Sequence, residues 1–236
     1  MDNTKSSLKK TARLAGFLYV IMGIAAAYGI MYVPSQVIVP GNAATTAHNI
    51  LAHEFLFRAG MVSQFISNTL FILLVLVLYR LLKQVNGHQA KLMVAFVLVQ
   101  VPIGYLIETF NMTSLMILNG EIMKALEPAQ KQDLAMLFLI MHKYGMITIE
   151  IFSGLWLIPF GRLVYKSRFM PGILGILLII GGIAYIIESL TFWLFPGYQP
   201  FVSRYMIVLY SIGETPMILW LCIKGVKNNI PSIDKK

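Results

Sequence analysis

A chain of 236 residues with 58% hydrophobic and 12% charged residues, and a mean hydropathy of +0.74, is too apolar for a soluble domain of its size. It reads as a polytopic membrane protein. The net charge of +9 is dispersed beside apolar runs instead of forming one patch, which argues against a nucleic-acid partner, and a single cysteine excludes an intrachain disulfide or a thiolate metal cluster.

Taking about 20 apolar residues as the length of a membrane-crossing helix, six segments qualify: 14–33, 55–82, 92–118, 134–165, 172–195 and 201–223. The expected fold is an all-α transmembrane bundle forming one integral domain over 1–236. Lys9, Lys10 and Arg13 ahead of the first segment imitate a secretory signal. An apolar run of about 20 residues outlasts the roughly 7 to 15 of a signal core, so this segment is read as a retained first helix.

Beyond it, Pro34, Pro40 and Gly41 predict a break, followed by an external connection through Thr45, Thr46 and Asn49. The second helix is expected to begin near His53 and Glu54. Asn86 and Gly87 mark the next turn, and a short polar helix is expected between Asn119 and Asp133. Pro171 with Gly172, and Pro196 with Gly197, separate the last three segments.

Small residues at Gly16, Gly23, Ala27, Gly175, Gly181 and Gly182 are expected to let helices approach closely. Trp193, Phe195 and Trp220 suit the membrane interface. Lys and Arg in the connections divide 14 to one side, including Lys235 and Lys236, and 3 to the other. Positive residues stay inside, so both termini are expected to be cytoplasmic.

Within these apolar runs stand Arg58, Glu108, Lys143, Glu150, Glu188 and Glu214. A charge at the centre of a spanning helix costs roughly 2.5–3.5 kcal/mol on insertion scales, so such groups face the bundle interior and find partners or a wet cavity. From the helical rise, Arg58, Glu108, Lys143 and Glu188 belong to the outer half of the bundle, and Glu150 and Glu214 lie near its middle. Lys143 and Glu150, seven residues apart, point the same way. His142 is turned toward a neighbouring helix.

Four glutamates face at most Arg58 and Lys143, with His142 as a weaker partner, so about two carboxylates lack a fixed cation. Either they hold protons or a bound cation or cationic solute completes the site. Pro216, beside Glu214, is expected to kink the last helix and free carbonyls there. The structural alternative is that the carboxylates only tie helices together through Asn111, Thr148, Ser153, Tyr185, Ser189 or Tyr210.

Other motifs are weaker. His48, His53 and Glu54 lack the helical i, i+4 spacing of a zinc site, and Asn111-Met112-Thr113 fits a glycosylation pattern inside a span. No phosphate loop, dinucleotide fingerprint or nucleophile elbow occurs, so neither catalysis nor a cofactor is indicated.

Several strings carry a family resemblance. They are Ala12-Arg13-Leu14-Ala15-Gly16; Val39-Pro40-Gly41; Leu51-Ala52-His53-Glu54 with Phe57 and Arg58; Leu78-Tyr79-Arg80-Leu81-Leu82; His142 with Tyr144 and Gly145; and Gly213-Glu214 with Leu219-Trp220-Leu221 and Lys224-Gly225. Across nearly its whole length the chain resembles a bacterial family of multi-span membrane proteins known as domain of unknown function 4386. The resemblance implies a bundle of about six helices in a bacterial inner membrane and implies no activity. It favours Arg58, His142 and Glu214, whereas Lys143 and Glu150 do not look like part of the family pattern.

The functional expectation is an integral membrane protein whose buried polar cavity binds or conducts a proton, cation or small cationic solute. Glu150 and Glu214 are its central acceptors, and Arg58, Lys143, Glu108 and Glu188, with His142, set their charge state. The rival expectation is a non-transporting scaffold or sensor. An intramembrane hydrolase using a glutamate and His142 lacks a nucleophile signature.

Overall fold

The computed structural model describes residues 2–227, so Lys235 and Lys236 lie outside the described residues. Every regular element among these residues is helical. Six helical stretches are long and apolar enough to cross a membrane: Ser6–Val37, Glu54–Leu82, Gly87–Leu118, Pro128–Lys166, Gly172–Leu194 and Pro196–Ile223.

The first stretch outruns the sequence expectation at both ends. Helix α1 (Asp2–Ala27) passes through one π-helical turn, Tyr28–Tyr32, into α2 (Val33–Val37). Pro34 does not end it: the π-helical turn runs straight into α2, with Tyr32 and Val33 keeping right-handed helical angles just before the proline. Extended Ile38 does the stopping. The expected external connection then folds into a helix of its own, α3 (Ala43–Ala52), started by the Asn42 side chain, which accepts from the Thr45 N–H at 2.9 Å.

Four long helices follow in the described chain: α4 (Glu54–Leu82), α5 (Gly87–Leu118), α6 (Pro128–Lys166) and α7 (Gly172–Leu194). A 3-10 turn, Pro196–Tyr198, leads into α8 (Gln199–Ile223). The short polar helix expected between Asn119 and Asp133 is absent: residues 119–127 are turns, with Gly120 and Met123 at φ +69° and +54°, conformations that a right-handed helix excludes. Helix α6 starts directly on Pro128. Pro102, Pro159 and Pro216 lie inside α5, α6 and α8 without interrupting them.

The chain divides into two compact units. Unit 1 comprises residues 2–20, 70–100 and 149–227; unit 2 comprises residues 21–69 and 101–148. Unit 1 is built on close helix contacts at glycine. A Cβ on Gly154 of α6 would stand 2.3 Å from the carbonyl oxygen of Gly182 in α7, and one on Gly161 would stand 2.5 Å from that of Gly175. A Cβ on Gly213 of α8 would meet the Leu177 carbonyl oxygen at 2.9 Å, and one on Gly16 would meet the Cys222 nitrogen at 2.7 Å. Backbones therefore touch where side chains would hold them apart. Gly23 departs from the sequence expectation, since a Cβ there would meet nothing within 4 Å.

Aromatic rings fill the rest of this unit. Trp156 stacks on Phe160 at 5.4 Å between centroids and meets Phe71 edge-on at 5.0 Å, with Tyr19 tilted beside it at 6.1 Å. Beyond α8, Gly225 at φ +71° turns the chain so that its N–H bonds back to the Trp220 carbonyl at 2.8 Å. Unit 2 has its own core of Val33, Val37, Ile50, Phe57, Met61, Leu115 and Leu139. Thr46 and Asn49 of α3 bond to the backbone of Val39 and Val37, fastening that helix to the end of α2.

Candidate functional site

The buried charges fall into two sets, one in each unit. In unit 1, Glu150 on α6, Glu188 on α7 and Glu214 on α8 form the first. Glu214 accepts from two phenols, the Tyr19 hydroxyl at Oε2 and the Tyr185 hydroxyl at Oε1, the latter at 3.1 Å. Tyr185 is in turn stacked flat on Tyr210, with centroids 4.1 Å apart and planes 5° from parallel. Three helices, α1, α7 and α8, thus converge on one carboxylate.

Glu188 is only 5% exposed and receives the Ser203 hydroxyl at Oε1. Its Oε2 is buried and accepts nothing, and the same is true of Oε2 of Glu150. These two carboxylates lie within electrostatic reach of one another. One turn beyond Glu150 on α6, Ser153 accepts from Nε2 of Gln100 at 2.9 Å, while the Gln100 carbonyl oxygen is itself buried and without a donor. None of the three acids forms an ion pair with a Lys or Arg among the described residues.

In unit 2 the buried carboxylate has partners. Glu108, 2% exposed, bonds through Oε1 to Nε2 of His142 at 2.8 Å and through Oε2 to the Asn111 amide at 3.1 Å. Helix periodicity turns His142 out of line with Lys143 and toward α5, where that partner lies. Arg58 does not pair with any of the four buried glutamates: its Nε donates to Glu54 one turn earlier at 2.7 Å, and its Nη1 approaches the Met112 sulfur at 3.9 Å. Asn119 also reaches Glu54, at 3.4 Å. Lys143 is exposed and forms no ion pair among the described residues.

The sequence count of about two unmatched carboxylates thus becomes three, because Arg58 is taken by Glu54, Lys143 pairs with no acid among the described residues, and Glu108 alone of the four has a basic side chain, His142, as its partner. Sequence reading also missed Tyr19, Gln100, Trp156 and Ser203. Gln100, a polar residue within a span, carried a signal of its own; Tyr19 and Trp156 are indistinguishable in sequence from aromatic core. No group of three or more His, Cys, Asp or Glu side chains suited to a metal ion occurs among the described residues.

A family profile described as a domain of unknown function, DUF4386, matches residues 14–225. A protein of Archaeoglobus fulgidus described only as uncharacterized is 42% identical over 77 residues, which are 33% of this chain and 44% of that protein. The chain therefore spans less than half the length of that relative. No solved structure matches the chain significantly.

Proposed function

The chain belongs to the DUF4386 family, a membership that assigns no activity, and we propose from its own residues that unit 1 binds a proton, a cation or a small cationic solute at Glu150, Glu188 and Glu214. One observation carries this reading. Three acids of unit 1 have no Lys or Arg paired to them among the described residues, and two of their buried oxygens accept no hydrogen bond. A buried carboxylate left without donors is expensive, by about 1–3 kcal/mol for the stranded group and more if it is charged. A proton or a bound cation removes that cost.

The setting is a bacterial inner membrane crossed six times with both termini in the cytoplasm. Fourteen Lys and Arg on one side against three on the other support that orientation.

Thermal unfolding of the purified protein across pH and a panel of monovalent cations tests the site. The wild type is expected to depend on both, and Glu150→Gln and Glu188→Gln, which keep shape but remove charge, are expected to flatten the dependence. Variants that respond as the wild type does would overturn the reading.

The scaffold reading draws on Glu214, whose two oxygens are both engaged by tyrosine hydroxyls from other helices. On that reading the acids only join helices. Uptake of a cation into vesicles carrying the protein separates the two, because a scaffold shows no uptake that Glu150→Gln abolishes.

A further inference from the structure

We infer that the basic end of the α1–α8 seam in unit 1 holds the headgroup of an anionic phospholipid carrying two phosphates, with its acyl chains along the apolar side of the same seam. The inference is independent of the site at Glu150 and Glu188.

The seam is closed by backbone contact. A Cβ on Gly16 would meet the Cys222 nitrogen at 2.7 Å, and one on Gly225 would meet the Lys9 carbonyl oxygen at 3.3 Å and Cγ of Arg13 at 3.6 Å. Residue numbers rise along α1 as they fall along α8, so the two helices run antiparallel. Nη2 of Arg13 donates to the Ile223 carbonyl oxygen at 3.2 Å, and the Lys227 N–H donates to that of Phe169 at 2.8 Å. Three separate stretches of chain are thereby fastened at one place: the start of α1, the turn between α6 and α7, and the end of α8.

Each stretch brings cations. Lys10 and Arg13 on α1, Arg168 in the turn, and Lys224 and Lys227 at the end of α8 are all exposed, and none forms an ion pair among the described residues. Acids are missing from all three stretches, since no Asp or Glu occurs in 3–53, 151–187 or 215–233. A guanidinium carries five N–H groups; Arg13 uses one on Ile223, which fixes its position and leaves the others to a ligand. A lipid with one phosphodiester supplies one negative charge and a lipid with two supplies two. Cations spread over three stretches suit the wider, more charged headgroup.

The same seam supplies the apolar half of a lipid site. Lys10, Arg13 and Phe17 stand at i, i+3 and i+7 on one face of α1. Counted from the contact of Gly16 with Cys222, Arg13 and Phe17 on α1 and Leu219 and Ile223 on α8 turn to the same side, because the helices are antiparallel. Phe17, Leu219 and Ile223 are 60%, 54% and 61% exposed. Cations thus give way to apolar surface along the seam, as phosphate gives way to acyl chain along a lipid. A soluble polyanion would leave the apolar strip unused.

Native mass spectrometry of the purified full chain, titrated with diphosphatidylglycerol, phosphatidylglycerol, phosphatidylcholine and inorganic pyrophosphate, tests this. The diphosphatidyl lipid is expected to bind at least about fivefold more tightly than phosphatidylglycerol, and phosphatidylcholine more weakly than either. Lys224→Gln combined with Lys227→Gln is expected to weaken the diphosphatidyl lipid by about 25-fold, roughly fivefold for each basic residue at a membrane surface. Lys83→Gln combined with Lys91→Gln, an equal loss of charge at the α4–α5 junction, is expected to change it little. Arg168→Gly serves where the double variant does not fold: glycine readily adopts the φ of +59° found there, and the expected loss is about fivefold.

Equal binding of the three lipids would overturn the inference. So would an equal loss in the Lys83 and Lys91 variant, which would make the attraction diffuse charge, or pyrophosphate binding as tightly as the diphosphatidyl lipid, which would make the site one for free phosphate. None of these results bears on the carboxylates of unit 1.

Discussion

At the scale of single residues, the two ion pairs among the described residues are of different kinds. Arg58 and Glu54 are 40% and 36% exposed at their side chains, and pairs so accessible contribute little because solvent screens them. Glu108 at 2% exposure cannot be rehydrated if His142 is lost. His142→Leu is therefore expected to destabilise the protein by about 1–3 kcal/mol, the cost of a stranded buried acceptor, and Arg58→Gln by clearly less, since solvent screens its pair. Chemical or thermal unfolding of the two variants in the same detergent checks the order. Tyr19→Phe, which removes one of the two hydroxyls on Glu214 and keeps the ring, is expected to cost about 0.6–1.7 kcal/mol, the range of interhelical hydrogen bonds in a membrane. The acids themselves were legible in the sequence because a charge inside an apolar run is conspicuous. Their partners were not. Tyr19 and Glu214 are 195 positions apart, and nothing in the local pattern distinguishes a tyrosine that donates to a buried carboxylate from one that only packs.

At the scale of elements, glycine decides how closely the helices of unit 1 approach. Gly154 and Gly161 on α6 face Gly182 and Gly175 on α7, seven residues apart on each, so the contact is repeated two turns along both helices. A methyl group on Gly154 would lie 2.3 Å from backbone oxygen, which cannot rotate aside. Gly154→Ala is thus expected to separate α6 from α7 and to lower the yield of folded protein, measured by gel filtration and thermal unfolding. Gly23→Ala provides the contrast. It meets no neighbour within 4 Å and is expected to be neutral or stabilising by up to about 1 kcal/mol through helix propensity. Sequence spacing identified the small residues but grouped Gly16 with Gly23, because a shared helix face does not reveal where along its length a neighbour passes. Helix α3 was hidden for a related reason. Its ten residues make a short helix with four polar side chains, and Asn42 capping with bonds to Val37 and Val39 fixes it in place.

At the scale of the whole molecule, six membrane-crossing helices were legible from apolar run length, since each is longer than the roughly 20 residues that a bilayer requires. The partition of the acids was not. Periodicity places a residue on a face of its own helix and leaves open which other helix lies opposite, so Glu108 could not be assigned to His142 in one unit while Glu150, Glu188 and Glu214 gathered in the other. Reporter fusions at the two ends are expected to read cytoplasmic at both, with an external signal at either end contradicting the orientation that the basic residues favour. Glu150 and Glu188 are expected to change their bonding when a proton or cation arrives. Infrared difference spectra of the carboxyl groups, recorded with and without added cation and at two pH values, measure this directly. A carboxyl signal present in the wild type and lost in Glu150→Gln and Glu188→Gln is the predicted result; carboxyl groups silent to both cation and pH would contradict the account.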